Sequence, residues 1–194
     1  RLAIEKFSNA GIKNFNHFYL NILEKVRVHN SPIGFDHELG INTSVKHDSC
    51  YVVGANDKAY LVGGAYMNMT NCCADGCTGT IFYLRGFQGV ITNPGSESHN
   101  AKKMFYARQY TNLTIINPTI FGVWNDPEYI CVDAGPGATV TVHGGTLAYD
   151  ARTGEDRGKP MEGALIQRTT GSYVSFENTD LPLCDTNSSY QDYT

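Results

Sequence analysis

The stretch "TNLTIINPTI" at residues 111–120 decides the fold, because two neighbouring stretches copy it imperfectly: "QGVITNPG" at 88–95 and "ATVTVHGGTL" at 138–147. Each places apolar residues two apart, then a polar residue, then Asn or Gly at a turn. A period of two marks a strand, since successive side chains leave opposite faces. Let the anchor be an apolar residue, one intervening residue, then Asn or Gly. Anchors then fall at Asn9, Asn30, Asn71, Asn93, Asn117, Gly144 and Asn178, at intervals of 21, 41, 22, 24, 27 and 34 residues. The interval of 41 holds two units, with a degenerate anchor inside "INTSVKHDSCYVV" (41–53).

The rest of the unit agrees with the anchor. Ten residues before its apolar position stand Phe18, Ala59, Ile81, Phe105, Val132 and Ile166, all apolar. Two residues before it stand Val26, Met67, Gly89, Leu113, Val140 and Val174, of which only Gly89 is not apolar. The unit is therefore two short alternating strands joined by a turn, with Pro often following the anchor, as in "INPT" and "TNPG". Alone it cannot bury its apolar side. Stacked on its neighbours it can, with equivalent strands paired in parallel about 4.8 Å apart and insertions leaving as loops. An antiparallel sandwich also gives short alternating strands, but it does not place an apolar residue at one offset in six units. Only "NFNHFYLNILEKVRVHN" (14–30) has a second reading, as a helix with Phe15, Phe18, Tyr19, Ile22, Leu23 and Val26 on one face.

In these features the sequence resembles the right-handed parallel β-helix, the pectin-lyase-like family, over roughly residues 10–180. The resemblance implies an all-β solenoid of about seven to eight coils. Residues 1–194 would form one domain, expected to be a piece of a longer chain. It also implies a ladder of stacked turn asparagines, here Asn30, Asn71, Asn93, Asn117 and Asn178, interrupted by Gly144. Val26, Ile81, Phe105, Ile115, Val132, Val142, Ile166 and Phe176 are expected to point inward.

Composition narrows the function. Charged residues are only 18% and the net charge is −4, which argues against a nucleic-acid binder. No apolar run is long enough to cross a membrane as a helix. The six cysteines include the cluster "NCCADGCTG" (71–79), but adjacent Cys72 and Cys73 do not suit a zinc knuckle and no second ligand pair follows. Buried thiols are expected instead, with no metal and no cofactor. Glycosylation patterns begin at Asn42, Asn68, Asn112 and Asn187.

If the residue ten before the anchor points inward, its successor points outward. Those successors are Tyr19, Tyr60, Phe82, Tyr106, Asp133 and Gln167, so an aromatic column is expected along one outer face. Sugar rings lay their C–H faces on such rings, and a copy of the same chain would also cover them. "GVWNDPEYICVD" brings Trp124, Asp126 and Glu128 into an insertion just before Asp133. Glycosidic hydrolysis needs a pair of carboxylates, so Asp126, Glu128 and Asp133 are the expected catalytic residues. Tyr60, Phe82, Tyr106, Arg108 and Trp124 are the expected glycan-binding residues. A lyase would instead use a base and a cation for a uronate, and Lys102, Lys103, Tyr106 and Arg108 offer one. Asp150, Glu155 and Asp156 stand in a charged excursion at 150–160 as outside candidates.

Variable loops on a regular solenoid and an aromatic face look like the shaft of a bacteriophage tailspike or related polysaccharide depolymerase. In that family parallel trimers bind or cleave bacterial surface glycans. The resemblance implies a bacterial polysaccharide partner, a homotrimer, and a place in the virion tail or outside the cell, with no nucleic-acid or membrane partner. Hydrolysis is favoured over elimination. The alternatives are a non-enzymatic structural fibre or adhesin, and a secreted pectinase-like enzyme.

Overall fold

The computed structural model describes residues 2–13, 18–37, 42–150, 159–182 and 190–193. Among them there is no helix, and every paired strand runs parallel to its neighbour one turn later. The chain is a parallel β-solenoid with three faces. The first face stacks Leu2–Glu5, Val26–His29, Tyr51–Val53, Cys73–Asp75, Gly95–Glu97, Thr119–Phe121 and Thr146–Tyr149. These seven strands bracket about six complete turns, slightly fewer than the repeat count predicts. The second face includes Ile33–His37, Lys103–Ala107, Ile130–Ala134 and Ala164–Thr169, and the third includes Asn112–Ile116, Thr139–His143 and Tyr173–Glu177. Two long strands, Lys58–Thr70 and Thr80–Thr92, bend round the corner and serve both faces.

The interior follows from the register. Phe35, Tyr60, Phe82 and Phe105 occupy one position on successive rungs, and their rings stack at 5.3, 5.1 and 5.1 Å within 8° of parallel. Val132 continues the column. All five are fully buried, as are Ile81, Ile115 and Val142. Val26 is buried too, while Ile166 and Phe176 pack against the core only in part.

Two expectations need correction. Tyr60 and Phe82 point into the core, not out of the second face. The cause is corner length. Leu84 pairs with Ala107 and Gln88 with Asn112, so three residues span the corner after Leu84 but four span it after Ala107. A fixed offset of ten therefore reaches the inward residue at Phe105 but its neighbour at Ile81, and one residue of slip exchanges the two faces of a strand. Tyr19 belongs to neither column. It pairs with Thr43, which pairs with Ala65, on the third face.

The anchor column is also shifted near the N-terminus. Successive backbone N–H donations connect Lys25, Ser49, Asn71, Asn93, Asn117 and Gly144, each to the residue that precedes the next turn residue, and all but Gly144 are non-glycine residues with positive φ. Ser49 is the degenerate anchor within 41–53. Asn30 lies instead in the turn that follows the first face, where its N–H donates to the Val53 carbonyl and where Gly54 and Gly76 follow it. Both turns end an apolar-x-Asn sequence, so the short pattern does not separate them. The side-chain ladder is seen where Asn93 Nδ2 donates to Asn71 Oδ1 at 3.1 Å. The stretch 18–29 forms strands, not a helix.

Cys50, Cys72, Cys77 and Cys131 are buried thiols, and Cys73 is half-buried. No group of three or more His, Cys, Asp or Glu suited to a metal occurs among the described residues. Asn42 is buried and donates from Nδ2 to the Gly63 carbonyl at 3.0 Å, which leaves no room for a glycan there. Cys184, Asn187, Glu155 and Asp156 lie outside the described residues.

Candidate functional site

The outward column of the second face runs Asp36, Leu61, Tyr83, Tyr106, Asp133 and Gln167, and its two aromatics, Tyr83 and Tyr106, are half-buried at the surface. Tyr83 and Tyr106 meet edge to face at 5.1 Å. Cations stand over both rings. The Lys58 ammonium is 5.2 Å from the Tyr83 centroid, Lys103 is 4.3 Å from Tyr106, and the Arg108 guanidinium is 5.9 Å from each. Arg108 also donates to the Tyr83 hydroxyl at 2.7 Å. Each cation is drawn to the negative face of a ring, so the strip is held in one arrangement rather than left to rotate.

Asp133 sits next in this column. Its side chain is only 8% exposed, and Lys103 closes over it in an ion pair. The same lysine therefore lies over Tyr106 and neutralises Asp133.

Asp126 and Glu128 stand elsewhere, on the insertion that links the first face to Ile130–Ala134. Asp126 shapes that turn. Its Oδ1 accepts from the Glu128 N–H at 2.9 Å and its carbonyl from the Tyr129 N–H at 3.0 Å. Tyr129, fully buried, fixes the end of the insertion in the core. Lys102 bridges the two carboxylates, at 2.8 Å from Asp126 and 3.2 Å from Glu128. Hydrogen bonding from Lys102 holds the Asp126 carboxyl below the usual carboxylate range, and Asp126 in turn raises Lys102. Glu128 is 79% exposed. Consecutive lysines thus divide the expected carboxylates: Lys102 takes Asp126 and Glu128, and Lys103 takes Asp133.

Beside Asp126 lies a cavity of about 470 Å³, lined by His99, Asn100, Lys102, Val123, Trp124 and Asp126 among others. Trp124 is nearly buried and forms its wall. Gly122 is required for that placement, because a Cβ there would stand 2.6 Å from the indole Nε1. Trp124 also borders a second cavity of about 310 Å³, lined by Leu147, Tyr149, Asp150, Asp180 and Leu181 among others. Neither Glu128 nor Asp133 lines the first cavity, where Asp126 is the carboxylate.

The structure thus keeps Tyr106 and Arg108 together on the strip, places Trp124 and Asp126 together at the cavity, and removes Tyr60 and Phe82 to the core. The residues that sequence reasoning overlooked are Tyr83, Lys58 and His99. Tyr83 was hidden by the short corner after Leu84. His99, whose ring meets Phe121 edge-on at 6.0 Å, gave no signal within "SESHN".

No model of a known protein family matches the chain, and no curated protein matches it. The class that the fold defines is the parallel β-solenoid.

Proposed function

We propose that this solenoid binds bacterial surface polysaccharide along its second face and cleaves it by hydrolysis at the Trp124 cavity, in the manner of a tailspike-like depolymerase. The observation that carries the reading is the cavity of about 470 Å³ in which an indole wall, the Asp126 carboxylate, the Lys102 ammonium and the His99 imidazole converge. A sugar ring suits such a wall, since its apolar face packs on an aromatic while its hydroxyls meet polar groups. The carboxylate held ionised by Lys102 serves as base or nucleophile, and His99, on the same cavity lining, takes the acid–base place that a second carboxylate fills in the expected pair. Tyr83, Tyr106 and Arg108 offer further stacking and hydrogen-bonding surface outside the cavity. The chain is proposed to act as a homotrimer, in a virion tail or outside the cell.

The test is incubation of the full-length protein with capsule and O-antigen preparations, following new reducing ends and released oligosaccharides. Release that disappears in Asp126→Asn supports the reading. Binding without release points to the second reading, a non-enzymatic fibre or adhesin. That alternative is favoured by one observation: each of the three carboxylates is already ion-paired with a lysine, Asp126 and Glu128 sharing Lys102 and Asp133 holding Lys103. A stable monomer of the full-length protein in light scattering counts against the trimer.

A further inference from the structure

Cys50 and Cys72 are twenty-two residues apart in sequence and one rung apart in the solenoid. Their followers Tyr51 and Cys73 pair directly in the first face, and the Cys73 N–H donates to the Cys50 carbonyl at 3.0 Å. The two thiols occupy translated copies of one environment. Cys50 Sγ lies 3.3 Å from the Leu23 carbonyl oxygen, and Cys72 Sγ lies 3.7 Å from that of His47, the residue paired with Leu23. The two thiols also act on each other: Cys50 is held below an ordinary thiol by its neighbour, and Cys72 is pushed above one by Cys50 and by burial. The remaining described cysteines are engaged elsewhere. Cys73 leaves the opposite side of the strand from Cys72 and lies under Gly95. Cys77 accepts from the Ala55 N–H, and Cys131 lies beside the buried Tyr129.

We propose that Cys50 and Cys72 form a rung-to-rung disulfide when the protein meets a low-molecular-weight disulfide such as oxidised glutathione. The stacking distance between parallel strands, about 4.8 Å, falls inside the Cα separation of about 4.4–6.8 Å that a disulfide accepts. Cys50 is the attacking sulfur, because its thiolate is the one its partner stabilises. It displaces one glutathione thiolate and forms a mixed disulfide. Cys72 then loses its proton and attacks the Cys50 sulfur, displacing the second glutathione. Two protein thiols are oxidised, one glutathione disulfide is reduced to two thiols, and two protons pass to the released thiolates. Both side chains are fully buried, so the reaction waits on local opening and proceeds slowly. The product ties the third turn of the solenoid to the next and stabilises both, by limiting the unfolded chain. This inference does not depend on the glycan reading.

The full chain is incubated with oxidised glutathione without denaturant, acid-quenched, alkylated and peptide-mapped without reduction. The expected product has lost two hydrogens and joins the Cys50 and Cys72 peptides, and its thermal midpoint lies roughly several degrees above that of the reduced protein. In Cys72→Ser the reaction stops at a glutathione adduct on Cys50, and the thermal midpoint does not rise. Alkylation of both residues after prolonged oxidation overturns the proposal. So does pairing of either one with Cys73, Cys77, Cys131 or Cys184 in the folded protein.

Discussion

Arg108 Nη1 donates to the hydroxyl of Tyr83 at 2.7 Å from the following rung, while its guanidinium stands at 5.9 Å from the rings of both Tyr83 and Tyr106. One side chain therefore touches two half-buried aromatics on neighbouring turns. Preorganisation of this kind lowers the cost of binding, because the rings are not ordered anew by the ligand.

Arg108→Lys should weaken glycan binding roughly fivefold to thirtyfold, because an ammonium keeps the charge but loses the planar fork. Calorimetric titration with the glycan released in the depolymerase assay checks this. Equal affinity for the variant would mean that the strip does not contact the ligand.

Phe105→Ala and Tyr106→Ala should behave oppositely although the residues are adjacent. Phe105 ends the buried ring stack, so its truncation should cost about 3–5 kcal/mol of stability. Tyr106 faces out, and its loss should cost under about 1 kcal/mol of stability while weakening glycan binding. Urea unfolding of both variants, beside binding measurements on Tyr106→Ala, decides the matter.

Asp126→Asn should lower turnover by roughly 10²–10⁴-fold with little change in glycan affinity, since shape is kept and only proton-transfer or nucleophilic capacity is lost. Glu128→Gln should have the smaller effect, because Glu128 stands outside the cavity. A larger loss in Glu128→Gln would exchange the two roles.

Acidification should loosen the first turns before the rest. His37 and His47 are fully buried, with His47 Nε2 at 3.2 Å from His37 Nδ1. Burial lowers His37 to about 4, against a smaller opposing pull from Asp36, and lowers His47 well below its ordinary value. Asp36 is itself paired with Lys13 at 2.8 Å, and Phe35 and Tyr60 supply the other ring contacts. An unfolded histidine titrates near 6.5, so between there and about 4 the unfolded chain binds more protons than the folded one. Stability then rises with pH across that window and is lost as pH falls through it. From pH 7 to 5 the loss from His37 alone should be about 2 kcal/mol, with His47 adding to it. Urea midpoints at the two pH values, and hydrogen exchange of 22–48, measure it. A flat response would contradict the burial of the pair.

The repeat, the parallel stack and most of the inward column were legible in the sequence, because each turn must present an apolar residue to the same core. Phe105, Ile115, Val132 and Val142 point inward for that reason alone. What lies on the outer surface was less legible. Its identity depends on corner length, and the change from three to four residues between Leu84 and Ala107 exchanged Phe82 for Tyr83 on the solvent side. Asn30 likewise mimicked the turn asparagines, since two different turns share one short pattern.

The sequence by itself determined the solenoid and singled out Trp124, Asp126, Tyr106 and Arg108. Only the tertiary structure decided their grouping. Consecutive Lys102 and Lys103 assign Asp126 with Glu128 to one place and Asp133 to another, and His99 reaches the Trp124 wall from the preceding turn. Spacing along a strand sets which way a side chain points. Partners on neighbouring rungs are set by the length of every loop between them, and that length carries no local signature.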